Sequence, residues 1–314
     1  MLQSIPRSVK IILAYILICI IWGTTWLAIK FAIATLPPFF SAGIRFTFAS
    51  LLIFLILKIR RYKFHFELKQ VIFLLLVGLG SFSVPYGLVY WAEGRITSGL
   101  TATTFAVMPF FAAILSRLFL KNDDLSFGKI FGIILGFVGL LVIFWGDLRF
   151  GSIYSVQGII AVVVSTITNA AVAVGVKKFG KEIDPVFINL IPMLLGAVTL
   201  LLTSVFVESW KNLEFNVSTI TAILYLAIFG SVVAFTLYFY LLKHISVVLL
   251  SMTSFITPVL ALTAGSVVLG EKFPSGTLLG AALILLGIVI LNLFGKSRVK
   301  PEEVVSAQKE VSIK

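Results

Sequence analysis

Arg45 is the one arginine well inside a long apolar run of this chain. It lies five or six residues from the nearer end of that run, about 8–9 Å at helical rise. A charge at such depth is costly, and by default it marks a functional position. Its planar fork suits a carboxylate. Arg45 could therefore bind a substrate carboxylate, pair with Glu93 at the end of the next run, or extend its head back to the interface. Lys30 lies at similar depth in the preceding run, and its longer free stem favours the interface.

Other side chains able to hold a ligand recur at helical spacing. Trp22 and Trp26 are four apart and share a face, as do Tyr86 and Tyr90 after Pro85. Thr97, Thr101 and Thr104 form one stripe, and Ser165, Thr168 and Asn169 cluster in another run. Tyr238 and Tyr240, two apart, point differently. Aromatic walls with a few hydrogen-bonding groups describe a small-molecule cavity. The plainer alternatives are interfacial belts for the aromatics and helix packing for Ser and Thr. The candidate substrate-binding set is Trp22, Trp26, Arg45, Tyr86, Tyr90, Thr104, Asn169 and Thr253. Asn169 stands out because an amide within a membrane needs partners.

Other chemistry finds few residues to carry it. There is no HExxH, no pair of carboxylates inside an apolar run and no histidine embedded in one; His65 and His244 sit in short basic connections. The single cysteine, Cys19, can make no intrachain disulfide. Neither a metal site nor a cofactor is expected. Among the 13 acids, Glu93, Asp147, Asp184, Glu208 and Glu271 fall at run ends or loops, so no midplane carboxylate relay is visible.

These residues are set in a chain that contains itself twice. Pro109 and Pro258 are 149 positions apart, each inside an apolar run, with Thr104 and Thr253 in matching places. Gly128, Gly132 and Gly139 match Gly276, Gly280 and Gly287 at an offset of 148. Pro38 and Pro185, and Lys30 and Lys177, match at 147. Each of the two matched prolines removes a backbone bond to the carbonyl four residues earlier, Phe105 or Ser254, and predicts a kinked helix that acts as a hinge, or a tolerated kink satisfied by a neighbour. Gly128, Gly132 and Gly136, each four apart, allow close helix packing within the monomer or at a homodimer seam.

Hydrophobic residues make up 60% of the chain and charged ones 12%, about half the share of a soluble domain. Ten apolar runs are long enough to span a bilayer: 11–33, 39–57, 70–92, 97–120, 128–146, 154–176, 185–207, 218–242, 247–269 and 276–295. The net charge of +12 would ordinarily raise nucleic acid as a partner, but the basic residues occupy the connections. With the N-terminus inside, nineteen lysines and arginines fall on the inner side and five on the outer, which orients ten spans with both termini cytoplasmic. Five helices per copy make the second copy enter from the opposite side. The expected fold is an all-α membrane protein of ten transmembrane helices in two inverted five-helix repeats, 11–147 and 154–295, followed by a charged mobile tail, 296–314. The basic start, apolar core and Ala32-Ile33-Ala34 imitate a signal peptide, but that site lies too far beyond the core, so a retained first helix is expected.

The order of Trp22-Gly23-Thr24-Thr25-Trp26, Lys30, Pro37-Pro38, Arg45, Pro258, Leu269-Gly270-Glu271, Gly280 and Gly287 resembles the EamA family of the drug/metabolite transporter superfamily. The resemblance covers residues 11–295. It implies two inverted five-helix repeats, cytoplasmic termini, and export or exchange of small metabolites by alternating access in the cytoplasmic membrane. The first repeat departs from the pattern, with Asn122-Asp123-Asp124 where the second has Glu271. The expected partners are a small-molecule substrate and the bilayer, with the chain a monomer or homodimer. A sugar-phosphate or nucleotide-sugar exchanger would want several cavity cations, an integral membrane enzyme a nucleophile, base or metal.

Overall fold

A computed structural model describes residues 6–64, 67–120, 127–150, 153–270 and 275–294. Among the described residues, ten helical stretches follow one another: α1 (Arg7–Ile33), α2 (Pro38–Ile59), α3 (Leu68–Glu93), α4 (Ser98–Phe119), α5 (Phe127–Phe150), α6 (Ile153–Phe179), α7 (Phe187–Val207), α8 (Val217–His244), α9 (Val247–Leu269) and α10 (Ser275–Phe294). Among the described residues, eight are long and apolar enough to cross a membrane; α5 and α10 run for 24 and 20 residues. His65, Asn122 to Asp124, Glu271 and the tail 296–314 lie outside the described residues.

The apolar runs form helices because their backbone groups can be satisfied within the segment. Their outer faces carry exposed Ile12, Ile16 and Ile20 on α1 and Leu51 and Leu55 on α2, side chains suited to lipid. Their inner faces are small: Ser41, Ala42 and Ala49 on α2 and Ala112 and Ser116 on α4 are fully buried. Small residues let backbones approach where lipid offers no hydrophobic drive between helices. The glycine stripe of α5 does this within the chain. A Cβ on Gly287 of α10 would meet the Gly132 carbonyl at 2.6 Å, and one on Gly139 would meet the Gly280 carbonyl at 2.6 Å.

The two copies pack by exchange. α1 lies against α8 and α9, and α6 lies equivalently against α3 and α4; α2 pairs with α7, α4 with α9 and α5 with α10. Acidic residues cap both helices of the α2–α7 pair. Glu208 accepts from the Phe39 and Phe40 amides at 2.8 and 3.0 Å, and Asp184 from those of Val186 and Phe187 at 2.8 and 3.1 Å. A carboxylate there satisfies orphan donors and meets the positive end of the helix.

Two features differ from a simple run of straight helices. First, α3 and α8 each contain a π turn, Leu79–Ser83 and Ile228–Val233, starting 149 positions apart. Second, the breaks in α4 and α9 are not both at the prolines. α4 breaks at Ala106 and Val107, just before Pro109; α9 breaks at Met252, while Pro258 lies inside the continuous stretch Thr253–Leu269. Short-range bonds close both breaks, from the Ala106 amide to the Thr103 carbonyl at 3.2 Å and from the Phe255 amide to the Met252 carbonyl at 3.0 Å. The carbonyl of Ser254 that Pro258 leaves open faces the Thr257 hydroxyl at 3.5 Å.

Candidate functional site

The π turn of α8 decides the local geometry. An extra residue in the turn takes carbonyls out of the i→i+4 ladder. Ser231 Oγ donates to the Leu226 carbonyl, five residues earlier, at 2.9 Å. The Gly230 carbonyl accepts from Arg45 Nη2 at 3.1 Å and Trp22 Nε1 at 3.4 Å. The site is tight at Gly230: a Cβ would sit 2.9 Å from Thr25 Cγ2 and 3.2 Å from Arg45 Nη2, so both side chains would have to shift to admit one.

Arg45 is 1% exposed. Its Nε donates to Ser231 Oγ at 2.9 Å and its Nη1 to Tyr90 Oη at 3.2 Å. The guanidinium carbon lies 4.9 Å from the centre of the Tyr86 ring. Each of these hydrogen-bond partners is neutral. A guanidinium has five N–H donors, and these bonds use three of them. The interfacial course is thus not taken.

The expected Arg45–Glu93 pair is not what forms. Glu93 is fully buried and its carboxylate is 3.6 Å from Lys30 Nζ. Lys30 Nζ also donates to the backbone carbonyls of Glu93 and Ile96, the latter at 2.6 Å, so it too is drawn inward rather than to the interface. The reason is geometric. Lys30 meets the C-terminal end of α3, where carbonyls lack partners. Tyr90, one turn before Glu93, faces Arg45.

Arg45 borders a cavity of about 80 Å³ walled by α1, α3, α4, α6, α8 and α9. Trp22, Trp26, Tyr86, Asn169 and Thr253 line it with Arg45. Tyr90 is not among the lining residues and reaches the site through its hydrogen bond with Arg45. Thr104 is buried at 1% exposure but is not among the lining residues, and neither are Pro109 and Pro258, whose neighbours Met108 and Thr257 are. Trp22 packs against Phe235 and Tyr238, with ring centres 5.3 and 5.4 Å apart, and Trp26 against Phe105 at 5.5 Å. Phe235, Tyr238, Phe239, Ser81 and Ser251 complete much of the wall and were not in the candidate set. Tyr240, by contrast, lies against His244.

Some polar groups of this wall are spent on backbone. Asn169 Nδ2 donates to the Ser165 carbonyl at 3.0 Å, and Thr253 Oγ1 to the Leu250 carbonyl at 2.9 Å. Others are unspent: Trp26 Nε1 and Ser165 Oγ are buried without a hydrogen-bond partner. A buried donor left unmet costs about 1–3 kcal/mol. A polar ligand in the cavity would recover part of that.

Comparison with known proteins places this architecture. The EamA-like transporter family matches residues 9–145 and 156–293. The chain belongs to that family. It is 31% identical to the uncharacterized transporter YoaV of Bacillus subtilis over 297 residues, 93% of this chain and 99% of that protein. It is 30% identical to the uncharacterized inner membrane transporter YedA of Escherichia coli K12, over 87% of this chain and 88% of that one. It is 29% identical to the protein PagO of Salmonella typhimurium, over 90% and 93%. A solved crystal structure superposes with a TM-score of 0.73 at 18% identity, covering 93% of this chain and 99% of the other, and shares the fold. This member of the EamA-like family is a multi-pass membrane protein of the transporter type, and its two matched segments contribute helices to one cavity.

Proposed function

We propose that the chain exports or exchanges small carboxylate-bearing metabolites, amino acids or related compounds, across the cytoplasmic membrane by alternating access. The observation that carries this reading is Arg45: a buried cation at the cavity wall whose hydrogen-bond partners are all neutral. A charge so placed is favoured by an opposite charge that enters with the substrate. Trp22, Trp26 and Tyr86 supply apolar wall, and Asn169, Ser165 and Trp26 Nε1 supply polar contacts for an amphipathic solute. A phosphate-bearing substrate has less support, because Arg45 is the single basic residue among the described residues that line the cavity.

Ten spans with both termini cytoplasmic, in two inverted repeats, form the framework of the proposal. The charge split supports it, as does the exchange packing of α1 and α6. Pro109 and Pro258 act as hinges next to the cavity-lining Met108 and Thr257. Comparing metabolites released by cells with and without the gene tests the export reading. Cells with it should release more of one or more amino acids, or survive toxic amino-acid analogues at several-fold higher concentration. Identical release profiles and identical resistance would contradict it.

A further inference from the structure

Two lysines at matching places in the two repeats make the same unusual contact. Lys30, on α1, donates to the carbonyls of Glu93 and Ile96, where α3 ends. Lys177, on α6, donates to the carbonyls of Leu242 and Ile245, where α8 ends, at 2.5 and 2.8 Å. The lysines are 147 positions apart and both pairs of acceptors 149 apart. A lysine there meets orphan carbonyls at the negative end of a helix, and charge-assisted bonds of this kind are the stronger ones.

Both contacts stand at the cavity's ends. Trp26 and Ile29 of α1 and Val89 of α3 line the cavity, and Lys30 and Glu93 lie one turn or less beyond them. Ala173 of α6 and Phe239 of α8 line it too, and Lys177 and Leu242 follow within a turn. Each lysine therefore ties together two cavity walls of its own repeat. The match is broken in one respect. The first tie includes the Glu93 carboxylate, 3.6 Å from Lys30, whereas the equivalent position in the second repeat is Leu242.

We propose that Lys30 and Lys177 are equivalent latches at the two ends of the transport cavity, released in alternation, with Glu93 an added charge that makes the Lys30 end harder to open. The proposal rests on the transport reading above. In this conformation both latches are made. Opening one end breaks a lysine–carbonyl pair there and leaves the other in place.

The test reads accessibility and needs no substrate. In a Cys19→Ser background, Ser165→Cys places a reporter thiol on the cavity wall. Its reaction with a membrane-impermeant thiol reagent is followed separately in right-side-out and inside-out vesicles. Lys30→Met and Glu93→Gln should raise the labelling rate from one face at least fivefold. Lys177→Met should raise it from the opposite face. Leu242→Glu, which puts a carboxylate at the position equivalent to Glu93, should slow labelling from the Lys177 face severalfold. Rates from both faces that ignore all four substitutions, or lysine variants that act on the same face, overturn the latches. A reporter that reacts from only one face, or from neither, in every variant overturns the transport reading instead.

Discussion

Arg45 Nε donates to Ser231 Oγ at 2.9 Å across 186 positions of sequence. The bond joins the second helix of one repeat to the π turn in the third helix of the other. The cation that lines the cavity is therefore held by both copies at once, and a shift of one copy against the other must act on it.

Gly230→Ala should disturb this cation without removing it. The new methyl would lie 3.2 Å from Arg45 Nη2 and 2.9 Å from Thr25 Cγ2, both movable side-chain ends. We expect apparent substrate affinity to fall about tenfold, equivalent to losing roughly one hydrogen bond to a charged group. Thermal unfolding of the purified protein should change little. A large loss of stability with normal affinity would place the effect in packing alone.

Pro109→Ala and Pro258→Ala should slow transport more than they lower folded yield. The two need not act equally, because α4 breaks beside Pro109 while α9 runs through Pro258. Restoring the missing amide at Pro109 would extend helix across Ala106 and Val107 and stiffen α4. Transport rates in vesicles, normalised to folded protein, decide this; unchanged rates in both would make the kinks structural.

Reporter fusions at Lys314 and in the connection near Lys211 should report opposite sides of the membrane. Finding them on the same side would contradict ten spans with cytoplasmic termini.

Much of the framework was legible because its causes are local. Apolar length gives helices, and the proline, glycine and lysine offsets reveal the duplication. Trp22, Trp26, Tyr86 and Asn169 were legible as a set because helical spacing puts polar and aromatic groups on one face. The partners of Arg45 were not. Ser231 and Gly230 are 186 and 185 positions away, and nothing in Ile228–Val233 announces a π turn. Glu93 looked like Arg45's partner by depth alone. Which of two cations a carboxylate meets depends on the rotation of α3, and that rotation is set by packing. Likewise Met252, where α9 breaks, lacks the proline that marked the expected kink.

The most direct test of the account is uptake by liposomes that contain the purified protein, measured against concentration for a panel of amino acids and related carboxylates. We expect at least one such solute to show saturable, protein-dependent uptake. Arg45→Ala should weaken its apparent affinity by about ten- to a hundredfold, the loss of roughly 1.5–3 kcal/mol for a hydrogen bond to a charged group. Arg45→Lys, which keeps the charge but not the fork, should fall between. A carboxylate-bearing solute transported by Arg45→Ala with wild-type affinity would contradict the account.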